Sequence, residues 1–585
     1  MSNPQTKTNA AAKPAMNPNI VNNIEHVVVM MMENRSFDHI LGAFPGVNGI
    51  DASAPYYNLQ TPSDPQGSGN QPQNQNSVNV ISQRRFGAAH TFTPMMTEVF
   101  GPTCQGYLTP YGAITGYENG QPVTLKEQYY PAQIMCGYYS TNGEDLSNSS
   151  MSYFEYLQAG TPGRLNVLHT LAENFVVCDN WFCDTPSETF PNRFFVHAAT
   201  NKGYNDDNGN PSATYETSLW NAPTLYEHLD AINPGEINWA FYGWAGGYYY
   251  DPITKRKRYY QSAQFDSDWF AYCNQPEVAG QFNRNIANFT TDIANGNLPF
   301  YSFLMPSLNF PFDGPDGNSM HPDGDVRLGE NYIAQVYNAL RNSDIWNKTL
   351  LIITFDENGG IFDHVTPLPA TPPDTITFPV DSNGNPSQEP FFDYSVLGPR
   401  LPAILVSPWL ANPNGSNQPF TASDAQVDST QYQNTTIPRF VQDLFEARNN
   451  GNSSIGGYSL TRRDASANSI AASPFWLNEA SAACPTMIDT YTGTDINGYY
   501  IAPWGTCLSV DPEDLCPPSN MLEMKPSETA MHFARGYLYF YPGHPDSGKP
   551  LTKEFKTNME LLEYMDERKE AARKYALQGK PALSR

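Results

Sequence analysis

Two polar pairs stand directly after apolar runs, with no turn residue between the run and the pair. Glu33 and Asn34 follow VVVMMM, and Asp356 and Glu357 follow LLIITF. Carboxylate and amide oxygens are hard donors that suit a divalent cation. A single carboxylate at a strand end is more commonly a helix cap or a turn former. Because the same pattern of an apolar run followed by a polar pair occurs twice, it indicates that the two pairs share one metal-binding site.

A third apolar run, NFVVCDNWF, leads into the segment CDTPSETFPNRFF. This segment holds Thr189 and the triplet Pro191-Asn192-Arg193. If the three runs are neighbouring strands, three carboxylates, an amide and a hydroxyl converge at one place. In a parallel sheet covered by helices, ligands bind beyond the carboxyl ends of the strands. We therefore expect the site at that edge.

The elements that must position these residues can be read from hydrophobic patterning. Apolar runs without polar alternation predict buried strands, and they begin near residues 174, 237, 299, 348 and 401. Helical patterns lie between them at 224–232 and 328–346. The alternation predicts the α/β class, with a mostly parallel central sheet covered on both faces.

The chain of 585 residues is long enough for several domains, or for one large α/β domain with insertions. We predict a mobile tail at residues 1–22, a main domain at residues 23–470 and a smaller C-terminal region at residues 471–585. A Pro-, Gln- and Asn-rich stretch at 51–82 predicts a surface excursion. The pattern at 554–577 predicts a charged amphipathic helix.

The formal net charge is −26, from 59 acidic and 33 basic side chains. Such a charge repels phosphate backbones and argues against a nucleic-acid partner. It also disfavours firm docking on anionic membranes, which leaves at most transient contact with a membrane surface. Oligomeric state is not indicated by any pattern in the sequence.

No apolar run approaches the ~20 residues that a membrane span needs. The first twenty residues lack the apolar core of a secretory signal, so the sequence leaves the compartment open. The eight cysteines form no CxxC pair, which argues against a thiolate zinc site. Cys178 and Cys183 could form a local disulfide, or could be buried free thiols.

Four segments in this order resemble a known family: ENRSFDHILG, SETFPNR, HPDGDVRLGE and FDENGGIFDHV. The chain resembles the phosphoesterase family that contains bacterial phosphatidylcholine-type phospholipases C and a related acid phosphatase. The resemblance covers roughly residues 23–470. It implies an alkaline-phosphatase-like α/β/α sandwich, which agrees with the fold class predicted from the hydrophobic patterning.

The resemblance also implies roles for individual residues. Thr189 matches the family nucleophile, and Arg193 either contacts phosphate or braces the nucleophile turn by pairing with a carboxylate. Histidines in the matching segments are candidates for phosphate contact or for protonating the leaving group: His321, His364 and, in a less similar segment, His90. The residues that match metal-binding positions are Glu33, Asn34, Asp356 and Glu357, and Asn34 could also donate to a phosphate oxygen.

One departure from the family pattern lies beside the nucleophile. The usual Gly-Pro before the nucleophile is Ser187-Glu188 here, which makes Ser187 a rival to Thr189. A threonine hydroxyl is a weak nucleophile unless its alkoxide is stabilised, and a coordinated cation can provide that stabilisation. The reaction would then proceed through a phosphothreonine.

The leading hypothesis is a metal-dependent phospholipase C acting on phosphatidylcholine-like lipids. The alternatives are a broad-specificity acid phosphatase on soluble monoesters and a non-catalytic phospholipid-binding protein. Zinc, calcium, magnesium and manganese are not distinguished by these ligands. The family resemblance slightly favours a secreted or periplasmic location. A sulfatase is excluded, because no Cys-x-Pro-x-Arg core surrounds Thr189.

Overall fold

A computed structural model of the protein describes residues 16–51, 88–100, 150–205, 221–243, 284–306, 318–322, 325–373, 394–449 and 459–492, with single residues and short pieces elsewhere. Within these ranges the chain forms one central sheet and helices packed around it.

The central sheet has eight strands. In chain order they are β1 (His26–Met32), β2 (Val176–Cys178), β3 (Trp239–Gly243), β4 (Arg284–Asn285), β5 (Tyr301–Met305), β6 (Thr349–Phe355), β7 (Ile404–Val406) and β8 (Gln426–Asp428). Their spatial order is β4-β3-β5-β1-β6-β7-β2-β8. All strands run parallel except β7, which is antiparallel to both of its neighbours.

Burial along β1 and β6 shows that both faces of the sheet are covered. The two strands pair in parallel over their full length. Successive side chains of a strand point to opposite faces, and every residue of β6 and every residue of β1 after His26 is buried. This confirms the predicted sandwich and explains why these strands show no polar alternation.

The described α-helices are α1 (Pro18–Asn23), α2 (Phe37–Leu41), α3 (Phe92–Phe100), α4 (Asn166–Asn174), α5 (Thr189–Ala198), α6 (Leu225–Ile232), α7 (Ile286–Ala294), α8 (Val326–Arg341), α9 (Thr436–Arg448) and α10 (Arg462–Ser466). Helices α4, α7 and α8 pack together, and α1, α5, α6, α9 and α10 form a second group.

The predicted elements of the main domain are confirmed. The five apolar runs form β2, β3, β5, β6 and β7, and the two helical patterns form α6 and α8. The described short strands outside the sheet pair as Trp181–Phe182 with Tyr432–Gln433, Gln73–Asn74 with Ser152–Tyr153, Thr115–Glu118 with Gln121–Thr124 and Tyr248–Tyr250 with Lys257–Tyr259.

Cys178 and Cys183 are both buried free thiols, so the local disulfide considered for them does not form. Cys273 and Cys484 are also free and buried. None of the helices in the described ranges combines the length and the apolar character that crossing a membrane requires.

The described start of the C-terminal region packs on the main domain. The Tyr491 N–H donates to Asn331 at 2.6 Å, and the Ile488 N–H donates to Asn338 at 2.9 Å, both on α8. Phe555 also belongs to the main core. The domain boundaries stay a prediction, because residues 1–15, nearly all of 51–82 and most of 554–577 lie outside the described residues.

Candidate active site

The carboxyl ends of β1 and β6 bring the two polar pairs to one edge of the sheet, since these strands are parallel neighbours paired to their last residues. The Asn34 backbone N–H donates to Asp356 Oδ1 at 3.0 Å, and the Glu357 N–H donates to the same oxygen at 2.8 Å. All four side chains of the pairs, including Glu33, are buried. The arrangement holds the Asp356 carboxylate at the centre of the cluster.

The loop after the second polar pair, Asp356-Glu357, approaches two other segments so closely that it requires glycine. Asn34 has a left-handed backbone conformation with φ +61°, which asparagine tolerates better than most residues. A Cβ on Gly359, itself at φ +65°, would lie 2.3 Å from the Asn34 carbonyl oxygen. A Cβ on Gly360 would lie 2.5 Å from the carbonyl oxygen of Ala89, next to His90. The two glycines therefore let the loop close on both segments.

Thr189 is the first residue of α5, and its buried hydroxyl donates to Asn34 Oδ1 at 3.4 Å. The N-terminus of a helix carries partial positive charge, which favours an alkoxide or a phosphate oxygen there. The rival hydroxyl of Ser187 is buried and donates to the Asn205 carbonyl. Of these two hydroxyls, only that of Thr189 makes a described contact with the polar pairs.

The turn before Thr189 is held by Asn192. The Asn192 side chain accepts from the Thr185 N–H at 3.0 Å and donates to the carbonyl oxygens of Ser187 and Glu188 at 2.7 and 3.2 Å. These hydrogen bonds hold the turn in place, although the Gly-Pro that is usual in the family is absent here.

Arg193 is fully buried and pairs with carboxylates of both strand ends. Its Nε donates to Asp356 at 3.0 Å, and one of its terminal nitrogens lies 3.4 Å from Glu33 Oε1. The guanidinium also donates to the Met31 carbonyl oxygen at 3.3 Å. These contacts agree with the bracing role, and the substrate-binding role of Arg193 stays a prediction.

His90 lies against the cluster with a defined tautomer. Its Nδ1 is 2.6 Å from the Ala88 carbonyl oxygen, which can only accept, so Nδ1 carries the proton. The lone pair on Nε2 then accepts from the Asn34 amide at 3.2 Å, and Nε2 lies 3.9 Å from Glu357 Oε1. A histidine in this state can accept a proton at the edge of the cluster.

His321 joins the same edge. Its ring centroid is 5.9 Å from that of His90 in an edge-on arrangement. Arg35 holds the backbone of this segment, because its guanidinium donates to the Met320 carbonyl oxygen at 2.6 Å and to the His321 carbonyl oxygen at 3.3 Å. The His321 ring thus packs edge-on against His90, which itself contacts Asn34.

The electrostatics of the cluster favour a cation. Burial raises the pKa of Asp356, although Arg193 opposes the shift. Burial and then the charge of Asp356 raise the pKa of Glu357 well above its ordinary value, and the charges of Glu188 and Glu33 add to the effect. Buried carboxylates of this kind are stabilised by a cation that pairs with them.

One oxygen of the cluster supports the fit of a metal ion. Glu357 Oε2 accepts from the Gly359 N–H at 2.5 Å, whereas the buried Glu357 Oε1 has no hydrogen-bond partner among the described residues. Buried polar atoms are ordinarily satisfied. The orphaned oxygen, the neighbouring carboxylates and the amide and hydroxyl oxygens of Asn34 and Thr189 form a donor set that suits a divalent cation.

His364 lies in a different cluster. Its Nδ1 is 2.7 Å from Asp38 Oδ2, and its Nε2 is 3.2 Å from Asn48 Oδ1. Burial lowers the pKa of His364, but its hydrogen bond to Asp38 and the charge of that carboxylate outweigh burial and raise it. The structure does not bring this histidine into described contact with Thr189 or the two polar pairs.

The cluster around His364 also has the spacing of a metal site, because ligand atoms of Asp38, Asp363 and His364 lie within 4.8 Å of one another. However, Arg400 already bridges it, with contacts of 2.9 Å to each carboxylate. An internal guanidinium supplies the positive charge that an ion would otherwise supply. The cluster at the ends of β1 and β6 is therefore the better candidate metal centre.

Sequence reasoning missed two participants of these clusters. Glu188 is fully buried and directly precedes Thr189, and Arg400 connects the loop after β1 to the loop after β6. The position of Glu188 directly before Thr189 in the sequence indicates that it lies near the site. No pattern in the sequence indicates a role for Arg400. It precedes β7 and lies far along the chain from its partners, Asp38 and Asp363.

The model described as "Phosphoesterase family" matches residues 24–448. "Non-specific phospholipase C5" of Arabidopsis thaliana is 30% identical over 442 residues, which is 73% of this chain and 71% of the relative. "Non-hemolytic phospholipase C" of Burkholderia pseudomallei (strain K96243) is 26% identical over 450 residues, which is 73% of this chain and 56% of the relative.

Among solved structures, a protein in the alkaline phosphatase superfamily from Vibrio parahaemolyticus is similar at a TM-score of 0.25 and 13% identity, covering 48% of this chain and 61% of that chain.

Proposed function

Because the chain belongs to the phosphoesterase family and is thereby a phosphoric ester hydrolase, we propose that it is a metal-dependent phospholipase C. It would cleave phosphatidylcholine-like lipids to diacylglycerol and the phosphorylated headgroup. The observation that carries the proposal is the position of Thr189, whose buried hydroxyl meets Asn34 at the sheet edge where the carboxylates converge. The curated relatives named phospholipase C support the substrate class.

A divalent metal would be held by oxygens of Glu33, Asn34, Asp356 and Glu357, together with the hydroxyl of Thr189. When bound, such an ion stabilises an alkoxide and neutralises charge on phosphoryl oxygens. Arg193 keeps two of these carboxylates in place through its paired contacts.

The nucleophilic step falls to Thr189. Its hydroxyl proton passes to the Nε2 lone pair of His90 as the oxygen attacks phosphorus. The bond from phosphorus to the glycerol oxygen breaks, and a phosphothreonine that still carries the choline group forms. The positive end of α5 favours the developing negative charge on the attacking oxygen. The leaving alkoxide takes a proton, which is the role we assign to His321 or to a protonated His90.

The second half of the reaction uses the defined tautomer of His90. Its Nε2 lone pair can take a proton from a water molecule, and that water then attacks the phosphorus of the Thr189 phosphocholine ester. The bond from phosphorus to the Thr189 oxygen breaks, phosphocholine is released, and the threonine oxygen takes back a proton. Asn34 donates to phosphate without repelling it. His364 is outside this scheme, because both of its ring nitrogens bind within the Asp38 cluster.

An acid phosphatase on soluble monoesters is the second candidate. The net charge of −26 favours it, since an acidic surface gains nothing from the anionic membranes on which many lipid enzymes dock. The third hypothesis, a non-catalytic phospholipid-binding protein, would require loss of the nucleophile or of a ligand, and all of these residues are present.

Product analysis separates these functions. Purified protein is incubated with phosphatidylcholine vesicles and with p-nitrophenyl phosphate, each with and without a chelator. We expect phosphocholine release that stops with the chelator and returns when a divalent metal is restored. Release of inorganic phosphate from the small ester alone would identify a phosphatase, and inactivity on both substrates would favour the binding protein.

A further inference from the structure

His321 lies in a short segment, residues 318–322, that forms neither a helix nor a strand. The residue before it, Met320, is buried and has a left-handed backbone conformation with φ +72°. This conformation is unfavourable for a residue with a side chain, because the Cβ comes too close to the following carbonyl oxygen. Contacts from the surrounding structure must therefore hold the turn that presents His321.

Arg35 supplies two of these contacts. It is fully buried and directly follows Asn34 in the loop after β1. Its Nε donates to the Met320 carbonyl oxygen at 2.6 Å, and a terminal nitrogen donates to the His321 carbonyl oxygen at 3.3 Å. These two carbonyls belong to the two peptide groups that flank the His321 Cα. One guanidinium therefore fixes the backbone on both sides of the histidine.

The guanidinium is held in turn by His39. A second terminal nitrogen of Arg35 is 2.9 Å from His39 Nε2. His39 Nδ1 is 2.8 Å from the Ser152 carbonyl oxygen, which can only accept, so the Nε2 lone pair accepts from Arg35. Burial, and then the charge of Arg35, lower the pKa of His39 to about 3, which keeps its ring neutral. The planar donor group of Arg35 thus has a fixed orientation.

The other side of the turn packs against α8. A Cβ on Gly329 of this helix would lie 2.3 Å from Met320 Cγ, so glycine leaves the space that the methionine side chain occupies. The Glu33 N–H also donates to the Ser319 carbonyl oxygen at 2.9 Å, and the His321 N–H donates to the Ser319 hydroxyl at 3.2 Å. The segment that carries His321 is therefore fixed between the loop after β1 and α8.

We propose that Arg35 is a positioning residue that orients His321 toward the leaving group of the substrate. The inference rests on the proposed hydrolysis and deepens it, because it assigns protonation of the leaving alkoxide to His321. Attacking and leaving oxygens lie on opposite sides of phosphorus, and His90 already takes the Thr189 proton on the attacking side. His321 gives a ring proton to the glycerol oxygen as its bond to phosphorus breaks. Before the second half of the reaction, His321 regains a proton from solvent and His90 releases one.

The test uses the basicity of the leaving group. A leaving alkoxide needs a proton, whereas p-nitrophenolate leaves without one. The ratio of kcat/KM on a short-chain phosphatidylcholine to kcat/KM on p-nitrophenyl phosphocholine therefore reports acid catalysis. We expect this ratio to fall at least about tenfold in His321→Ala and in Arg35→Lys, which keeps the charge but not the planar set of donors. A ratio in Arg35→Lys within about twofold of the wild type contradicts the positioning role.

Arg448→Lys is the matched control. Arg448 on α9 also donates to two backbone carbonyl oxygens, those of Val21 and Ile24 at 2.6 and 3.0 Å, but these lie before β1 rather than after it. This control should keep the wild-type ratio. Combining Arg35→Lys with His321→Ala should lower the ratio no further than His321→Ala alone, because Arg35 acts through His321. Losses that multiply in the double variant would overturn the proposal.

A second variant protects the test against misfolding of Arg35→Lys. Alanine is a better helix former than glycine, so Gly329→Ala should keep α8 intact while its Cβ displaces Met320. The ratio should fall in this variant as well. Nuclear magnetic resonance of isotope-labelled histidine gives a readout without turnover. The His321 ring signal, assigned by its loss in His321→Ala, should shift in Arg35→Lys and Gly329→Ala, and an unchanged signal in both would overturn the proposal.

Failure of this inference and failure of the proposed function give different results. If His321→Ala keeps the wild-type ratio, His321 is not the acid, and the inference is overturned while the hydrolysis stands. If the wild type hydrolyses neither ester, the proposed function fails and the inference fails with it.

Discussion

At the scale of single residues, the site depends on contacts that a side chain one carbon larger would destroy. Asn34 adopts a left-handed backbone conformation, and its backbone N–H donates to Asp356. Its side-chain amide contacts both Thr189 and His90. Gly359 makes this possible by lying against the Asn34 carbonyl. Thr189, the carboxylate of Asp356 and His90 are thus coupled through one asparagine.

Gly359→Ala tests this coupling. The new Cβ would meet the Asn34 carbonyl oxygen at 2.3 Å, so the backbone of one loop must move. We expect phosphoester hydrolysis to fall at least tenfold and the free energy of unfolding to fall by about 2 to 4 kcal/mol. Rates and urea denaturation measure the two effects.

Gly160→Ala is the matched control. Gly160 also has a positive φ, +79°, but a Cβ there would meet no atom within 4 Å. The control should therefore lose only about 1 kcal/mol of stability and keep its activity. Equal activity losses in the two variants would show that backbone strain, rather than displacement of Asn34, causes the defect.

At the scale of elements, Glu330 joins three segments. It lies on α8, and its Oε1 accepts from the backbone N–H groups of Val167 and Leu168 at 3.1 and 2.8 Å, at the start of α4. Its Oε2 accepts from the Tyr491 hydroxyl at 2.6 Å. Burial raises the pKa of Glu330 to about 7, although these hydrogen bonds oppose the shift.

This raised pKa predicts a pH-dependent stability. The folded protein holds the Glu330 proton more tightly than the unfolded chain, so the stabilisation is complete below pH ~4.5 and is lost as pH rises through about 7. Relative to Glu330→Gln, the wild type should lose about 3 kcal/mol of unfolding free energy across this window. Urea denaturation from pH 4.5 to 8 measures the difference. A constant difference between the two proteins would show that the pKa of Glu330 is not raised.

Sequence patterns predicted the elements better than the loops between them. The strands were evident because β1 and β6 are buried on both faces and must be apolar throughout, so the polar pairs after them stand out. The family resemblance indicates Thr189, and the structure brings its hydroxyl to Asn34, while its role as nucleophile stays a prediction.

The loop residues were harder to place, because no periodicity fixes the direction of a loop side chain. His364, a candidate for phosphate contact, binds Asp38, whereas His90, which lies in a segment less similar to the family, accepts from Asn34. Arg400 contacts Asp38 and Asp363 through tertiary proximity, which spacing along the chain does not report.

At the scale of the whole molecule, the acidic chain should shape the encounter with lipid. The net charge of −26 repels anionic vesicles but not zwitterionic ones. We expect the rate on phosphatidylcholine vesicles to fall severalfold when anionic lipid is mixed in at low ionic strength. Added salt should restore the rate by screening the repulsion. Headgroup release across vesicle compositions and salt concentrations measures this, and faster turnover on anionic vesicles would contradict it.

The central claim is that Thr189 carries the phosphoryl group during turnover, and trapping that intermediate tests it most directly. Protein mixed with phosphodiester substrate is quenched in acid, digested and analysed by mass spectrometry. With phosphatidylcholine as the substrate, we predict one added phosphocholine group on Thr189 in the wild type and in Ser187→Ala, and none in Thr189→Ala, which should also lose at least a thousandfold in kcat. A phosphocholine group on Ser187, or full activity in Thr189→Ala, would contradict the account.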